Sequence, residues 1–262
     1  MGLFDRSKET SLNKKSFKLF REGKLQEALE LYDEALKIEP NNAEAWNNKG
    51  IALEKLGKYR EALDAYDRSL EIEPKASKPW NNKGIVHKKL GKYREALDTY
   101  DRSLEIEPKD AETWYNKGIT LIELNMFHEA LECYEKASEL NPNDSDIWYG
   151  KGNTFGILGK YQKALECYEK ALEINPNYIS AWNNRGHAFK DSGKYLKALK
   201  CFNKALKLDS KNVEAQYNKG NILIKLGKDQ EAEKCFDEVI RIDPNFEPAL
   251  KVKKDILASK KE

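Results

Sequence analysis

The sequence has no long apolar run and is poor in several residue types that often carry chemistry. No segment approaches the roughly 18 consecutive apolar residues of a transmembrane helix. The first residues, MGLFDRSKETS, lack the apolar stretch and the small-residue cleavage site of a secretory signal. Cysteine, histidine and methionine number only 4, 3 and 2 among 262 residues. We therefore predict a cytoplasmic protein that does not interact with a membrane.

An excess of charge of one sign is also missing. The chain has 46 basic and 44 acidic residues and a formal net charge of +2. Such a balance does not build the strong positive field that binding to a phosphate backbone uses. Nucleic acid is therefore not expected as a partner.

What the sequence does contain is a period of 34 residues. The segment NNKGIALEKLGKYREALDAYDRSLEIEP from Asn47 recurs as NNKGIVHKKLGKYREALDTYDRSLEIEP from Asn81. All five tryptophans keep this spacing: Trp46, Trp80, Trp114, Trp148 and Trp182. Six glycines keep it as well: Gly50, Gly84, Gly118, Gly152, Gly186 and Gly220. Self-similarity at this period is typical of a repeat protein.

Each period predicts two amphipathic helices, because apolar residues recur at helical spacing on both sides of a central glycine. The glycines that end the first helix in a left-handed cap are expected at Gly57, Gly91, Gly159, Gly193 and Gly227, with Asn125 as the exception. Second helices are expected to end before Pro40, Pro74, Pro108, Pro142, Pro176 and Pro244, with Ser210 as the exception. Predicted N-caps of the following helices are Asn42, Asp110, Asp144 and Asn212.

The pattern within one period resembles that of the tetratricopeptide repeat family, and it is carried by Trp46, Gly50, Leu53, Ala62, Tyr66 and Pro74. The resemblance covers seven units: residues 9–42, 43–76, 77–110, 111–144, 145–178, 179–212 and 213–246. Residues 1–8 are expected to form a leader, and residues 247–262 a C-terminal capping helix with a basic tail. The resemblance implies an all-α fold, a right-handed superhelical solenoid of antiparallel helix pairs.

The residues that could suggest catalysis or a metal site do not form a pattern. Cys133, Cys167, Cys201 and Cys235 occupy one position of four consecutive repeats, so we interpret them as small buried thiols that form no disulfide. The three histidines, His87, His128 and His187, stand at three different repeat positions, which gives no metal-ligand spacing. We predict that the protein is not an enzyme and uses no metal or other cofactor.

In the resembling family, the first helices line a concave face that binds extended peptides. Carried over, the residue two places after each tryptophan position gives a row of amides: Asn48, Asn82, Asn116, Asn184 and Asn218, interrupted by Gly150. Asparagine offers a donor and an acceptor, so this row could pair with the backbone of an extended peptide. The alternatives are that duplication simply copied the asparagine, or that it bonds within its own array.

Neighbouring positions complete the candidate peptide-binding groove. One place after the tryptophan position stand Asn47, Asn81, Tyr115, Tyr149, Asn183 and Tyr217. Phe17, Ile51, Ile85 and Ile119 predict a more apolar N-terminal part, whereas Asn153, His187 and Asn221 occupy the matching positions further on. The residues before the glycines are cationic: Lys49, Lys83, Lys117, Lys151, Arg185 and Lys219. They either pack their stems between helices or direct positive charge into the groove toward an acidic ligand.

These features predict a protein–protein interaction scaffold that holds an extended peptide segment of a partner. Two alternatives remain open at this level. One is an RNA-binding helical repeat, since related two-helix repeats read bases one per unit. The other is an assembly subunit that binds through its convex face or its ends. The sequence leaves the oligomeric state and the identity of the partner open.

Overall fold

A computed structural model describes the backbone of residues 3–259 and the side chains of residues 10–256. Within this part of the chain all regular structure is α-helical, in fifteen helices. The chain forms two compact units, Met1–Leu140 and Asn141–Glu262. Residues 1–2 of the predicted leader and residues 260–262 of the predicted tail lie outside the described residues.

Unit 1 contains four antiparallel helix pairs. Their helices are α1 (Leu3–Arg21), α2 (Leu25–Ile38), α3 (Ala43–Lys55), α4 (Tyr59–Ile72), α5 (Ser77–Lys89), α6 (Tyr93–Ile106), α7 (Ala111–Glu123) and α8 (Phe127–Leu140). Helix α1 begins at Leu3, so residues 3–8 of the segment expected to be a leader are helical and continuous with the first repeat.

Unit 2 contains three further pairs and one last helix. These helices are α9 (Ser145–Ile157), α10 (Tyr161–Ile174), α11 (Ile179–Asp191), α12 (Tyr195–Leu208), α13 (Val213–Lys225), α14 (Asp229–Ile242) and α15 (Glu247–Ser259). Helix α15 packs on α14 and buries Ala249 at its start. The all-α fold of helix pairs expected from the sequence is therefore confirmed.

The ends of the helices follow the local signals in the sequence. The five predicted cap glycines have positive φ angles, and Asn125 shares this conformation with a φ of 58°. The Asn42 side chain accepts from the Ala45 backbone N–H at 2.9 Å, and the predicted caps Asp110, Asp144 and Asn212 also accept from their own helices. Helix α12 ends at Leu208 although Ser210 stands where other repeats have proline.

A glycine–aromatic contact joins the two helices of each pair from α3 and α4 onward, whereas the first pair has a buried Ser16 at the glycine position. A Cβ atom added to Gly50 would stand 2.5 Å from Cε1 of Tyr66, so the ring packs directly on the backbone of α3. Tyr66 itself is fully buried. The same glycine and aromatic positions meet in the later pairs, as between Gly186 and Phe202. In these pairs the glycine lets the ring pack against the helix backbone, because a side chain at a position such as Gly50 would overlap the ring.

The tryptophans tie each first helix to the loop before it. The indole Nε1 of Trp46 donates to the backbone oxygen of Pro40 at 2.9 Å, and Trp182 donates to Pro176 at the same distance. In the seventh repeat, Gln216 stands at the tryptophan position and Ser210 at the position of the preceding proline.

None of the four cysteines forms a disulfide, and all four are buried, as the sequence predicts. Each lies on a second helix, on the side that faces the first helix of its pair; Cys235, for example, packs in a cluster with Leu223 and Phe236. Burial raises the pKa of the Cys133 and Cys201 thiols to about 11. These side chains are therefore neutral packing residues at physiological pH.

Candidate ligand-binding surface

All predicted groove residues lie on the first helices of their pairs. Asn47, Asn48 and Ile51 belong to α3, and the following repeats repeat this arrangement on α5 and α7 in unit 1. In unit 2, the corresponding residues lie on α9, α11 and α13. The three-residue spacing between Asn48 and Ile51 places both side chains on one face of the helix.

In unit 1, the amides form a ladder that joins successive first helices. Nδ2 of Asn82 donates to Oδ1 of Asn47 at 3.0 Å, and Nδ2 of Asn116 donates to Oδ1 of Asn81 at 3.3 Å. The acceptors are largely buried, with Asn47 9% and Asn81 5% exposed. One N–H group of Asn82 and one of Asn116 are thus used within the array. This agrees with the alternative that the asparagines bond to each other within the protein.

The ladder does not use every polar group of the row. Asn48 and Asn82 are half-buried, and the Asn48 side chain has no hydrogen bond to any described residue. Asn82 keeps its Oδ1 acceptor and its second N–H without a partner among the described side chains. Asn116 is more buried, at 8% exposure. The accessible amide groups of unit 1 are therefore concentrated at Asn48 and Asn82.

Apolar groups accompany these amides in unit 1. Ile51, Ile85 and Ile119 are all half-buried, and each stands three residues after an asparagine of the row. Ile51 and Ile119 pack one side against the buried cores of their pairs. Tyr115 is also half-buried, and its ring centroid lies 6.0 Å from that of Tyr134. Unit 1 thus presents one isoleucine per repeat along its first helices.

In unit 2, the corresponding polar side chains bond to each other more extensively. Nδ2 of Asn184 donates to the Tyr149 hydroxyl at 3.0 Å and to Oδ1 of Asn153 at 2.8 Å. The Tyr168 hydroxyl also donates to Asn153 Oδ1, at 2.8 Å. Both donors of Asn184 are used in this network, which leaves its Oδ1 atom for a ligand.

Two other predicted residues of unit 2 are mainly internal. Asn183 is 3% exposed, and its Nδ2 donates to Oδ1 of Asn212, the N-cap of α13, at 3.3 Å. Asn218 is 7% exposed; its Nδ2 donates to the Glu214 backbone oxygen at 2.9 Å and lies 3.2 Å from Nε2 of His187. These side chains stabilise the contacts between first helices.

Aromatic partners of the predicted tyrosines were not identified from the sequence. The ring centroids of Tyr149 and Tyr178 lie 4.8 Å apart, and those of Tyr217 and Phe246 lie 5.3 Å apart. Tyr178 and Phe246 occupy the position that is an N-cap asparagine or aspartate in four other repeats and Ala76 in a fifth. This replacement in the two repeats that carry Tyr149 and Tyr217 is a signal that could have predicted the pairs.

Most of the cations that precede the glycines form ion pairs within the protein, which argues against a role in ligand binding. Nζ of Lys49 lies 2.6 Å from the Asp33 carboxylate and 4.9 Å from the centroid of the Trp46 ring. The same ion pair joins Lys83 to Asp67 in the next repeat. These lysines cover tryptophan rings and bind the preceding second helix, so their charges are neutralised locally.

The described residues contain no group of three or more histidine, cysteine, aspartate or glutamate side chains placed to hold a metal ion. Over the same part of the chain, none of the helices combines the length and the apolar character needed to cross a bilayer.

The fold and the regular surface of the first helices define the class of the protein as an all-α helical-repeat protein. The tetratricopeptide repeat profile matches residues 43–76, 77–110, 111–144, 145–178 and 213–246. Related profiles, described as TPR repeat and tetratricopeptide repeat, match residues 18–57, 186–227 and 167–200. The chain belongs to the tetratricopeptide repeat family.

Several solved structures share this architecture. YrrB, described as a TPR protein with an unusual peptide-binding site, is 26% identical with a TM-score of 0.64, over 73% of this chain and 99% of YrrB. A tetratricopeptide repeat protein from Parabacteroides merdae is 22% identical with a TM-score of 0.67, over 95% of this chain and 98% of that one. PilF of Pseudomonas aeruginosa is 19% identical with a TM-score of 0.71, over 81% and 97%. No curated protein matches the sequence.

Proposed function

We propose that this tetratricopeptide repeat protein binds an extended peptide segment of a partner protein on the first helices α3, α5 and α7 of unit 1. Membership of the family supports the broader role of a protein–protein interaction scaffold. The similarity to YrrB, whose structure is described as having a peptide-binding site, agrees with a peptide as the ligand.

The observation that carries the proposal is a half-exposed isoleucine in each of three consecutive repeats, accompanied in two of them by an accessible amide, Asn48 or Asn82. Ile51, Ile85 and Ile119 offer apolar contacts to alternate side chains of an extended peptide. The amide of Asn82 is already oriented by its bond to Asn47, so its free acceptor loses little freedom on binding. Fixed amides with apolar neighbours suit a ligand that is recognised partly through its backbone.

Unit 2 has a different surface at the same repeat positions. Asn153, His187 and Asn221 replace the isoleucines there, and Asn153 already bonds to its neighbours. Tyr149, Asn184 and Tyr217 remain predicted contacts of unit 2 with a more polar ligand. The binding of an apolar peptide segment is assigned to unit 1.

The experiment selects peptides from a displayed random library and measures their affinity by isothermal titration calorimetry. The variant Ile85→Asn with Ile119→Asn is expected to bind about tenfold or more weakly, since each lost apolar contact contributes on the order of 1 kcal/mol. Asparagine is a conservative choice, because this position is naturally asparagine at Asn153 and Asn221.

The matched control is Leu140→Asn, which makes the same chemical change at an exposed residue of the second helix α8. It is expected to leave the affinity unchanged. Selected peptides that bind the double variant as tightly as the wild type would place the ligand elsewhere and contradict the proposal.

A further inference from the structure

The cleft between α11 and α12 in unit 2 has charges of only one sign. Its cavity of about 650 Å³ is lined by five cations and no carboxylate: Arg185, Lys197, Lys200, Lys204 and Lys207. The apolar part of the lining includes the rings of Trp182 and Phe189. A concentration of cations around an apolar cavity is an attractive site for a ligand that carries both anionic and apolar groups.

A second cavity at the same repeat positions can be compared with this cleft. The cavity between α3 and α4 in unit 1, of about 500 Å³, is lined by the same nine positions of the repeat. There the charged residues are two cations and four carboxylates: Lys49, Arg68, Glu61, Asp64, Asp67 and Glu71. The positive cleft is therefore a property of the sequence of α12, and it does not follow from the repeat fold.

The cations of α12 are poorly compensated within the protein. The helix YLKALKCFNKALKL contains no acidic residue. Lys200, Lys204 and Lys207 are exposed and form no ion pair with any described residue, whereas Arg185 is paired with Glu169 at 3.0 Å. Lys200 and Lys204 are four residues apart, and like charges at this spacing destabilise a helix. An anionic ligand would relieve this repulsion.

An exposed apolar side chain stands next to these lysines. Leu196 is 66% exposed, and it lies one helical turn before Lys200 on the same face. The same position is polar in the other six repeats: Gln26, Arg60, Arg94, His128, Gln162 and Gln230. Helix α12 thus combines unpaired positive charge with an apolar contact.

We infer that this cleft binds an acidic peptide segment of a partner protein. Its carboxylates would contact Lys200, Lys204 and Lys207, and one of its apolar side chains would pack on Leu196. The lysines from Lys197 to Lys207 extend over about 15 Å of helix, which favours a row of several anionic groups over a single small anion.

The aromatic rings in the cleft argue against a nucleic acid as the occupant. The Arg185 guanidinium lies 5.8 Å from the Trp182 ring centroid and 5.6 Å from that of Phe189. Nζ of Lys197 lies 5.7 Å from the Phe189 centroid. Bases bind single-strand sites by stacking on open aromatic faces, and these faces are covered by cations. The carboxylates of a peptide, in contrast, contact the cations and do not require an open aromatic face.

The test uses fluorescence anisotropy with a labelled peptide composed of glutamate and leucine, and the same peptide with glutamine for glutamate. The wild-type chain is expected to bind the acidic peptide, more weakly at high ionic strength, and not the glutamine peptide. Lys200→Glu with Lys204→Glu is expected to weaken binding about tenfold or more, because attraction is replaced by repulsion. Leu196→Gln is expected to weaken binding of this peptide but not of a peptide made only of glutamate.

The matched control is Lys75→Glu with Lys109→Glu, which changes the net charge equally at exposed loop residues of unit 1. It is expected to bind normally, and so is Ile85→Asn, which tests the surface proposed for unit 1. Circular dichroism checks that the variants fold, and the salt dependence of the wild type provides a measurement that requires no variant. Equal binding of the glutamine peptide, full binding by the Lys200 and Lys204 variant, or binding of a single-stranded RNA in place of the peptide would overturn the inference.

Discussion

The side-chain amide of Asn82 donates to Oδ1 of Asn47 at 3.0 Å, and this bond joins the first helices of two successive repeats. Asn47 is only 9% exposed, so Asn82→Ala would leave a buried acceptor without its partner. We expect a loss of about 1–3 kcal/mol in the free energy of unfolding, measured by urea denaturation.

Asn48→Ala is the matched control for this prediction. Asn48 has the same repeat position but no hydrogen bond to a described residue, so its replacement is expected to change stability by less than about 0.5 kcal/mol. Equal costs for the two substitutions would show that the ladder does not stabilise the array.

The glycines opposite the aromatic rings should differ in their tolerance of alanine. A Cβ at Gly50 would lie 2.5 Å from Cε1 of Tyr66, whereas at Gly118 it would lie 3.1 Å from Cε1 of Tyr134. We expect Gly50→Ala to destabilise the protein by about 1–3 kcal/mol through overpacking. Gly118→Ala should cost clearly less, because the gain in helix propensity offsets a milder contact. Thermal unfolding of both variants measures the order, and the reverse order would contradict it.

The positions of the cap glycines should tolerate asparagine better than alanine. Gly57 has a φ of 74°, and a Cβ there would meet no atom within 4 Å, so only backbone strain opposes a substitution. We expect Gly57→Ala to cost about 1–2 kcal/mol and Gly57→Asn to cost less, since Asn125 already adopts this conformation. Chemical denaturation compares the two variants, and an equal cost would show that another constraint acts at Gly57.

The raised pKa of a buried cysteine predicts that the stability of the folded protein depends on pH. Burial raises the pKa of Cys201 to about 11, so the folded protein holds this proton more tightly than the unfolded chain. The stabilisation is fully present below the unfolded pKa, near 9, and is lost as the pH rises through about 11. Stability should therefore fall over this range.

The same burial should slow thiol modification. A colourimetric thiol reagent at pH 8 is expected to react slowly with the native protein and quickly after addition of denaturant. Cys201→Ala tests the assignment by reducing the stability loss between pH 9 and 11. A rapid reaction of the native protein would show that these thiols are accessible.

Much of the fold could be predicted because it depends on residues close together in the sequence. The positive φ at Gly57 and the cap formed by Asn42 are decided within a few residues of each helix end. The period of 34 residues then fixes where each pair begins. The start of α1 was harder to predict, because the first repeat lacks both the tryptophan and the glycine, whereas every other repeat keeps at least the glycine.

The roles of several site residues could not be predicted from their spacing. Asn48 and Asn82 look equivalent in the sequence, but of the two only the Asn82 side chain donates to an amide on the preceding first helix. The lysines before the glycines were open to two interpretations, and the ion pair of Lys49 with Asp33 favours the packing of their stems between helices. Both outcomes depend on contacts between neighbouring repeats.

The sequence by itself determined the repeat, the helix pairs, the caps and the family, because each follows from local chemistry copied at a constant period. Only the tertiary structure decided which amides are used internally, which charges are neutralised, and which cations surround an open cleft. Lys83 finds Asp67, 16 residues away, while Lys200 and Lys204 find no acid among the described residues. The physical reason is that burial and pairing are set by the side chains that an adjacent helix brings near, and the repeat period does not specify them.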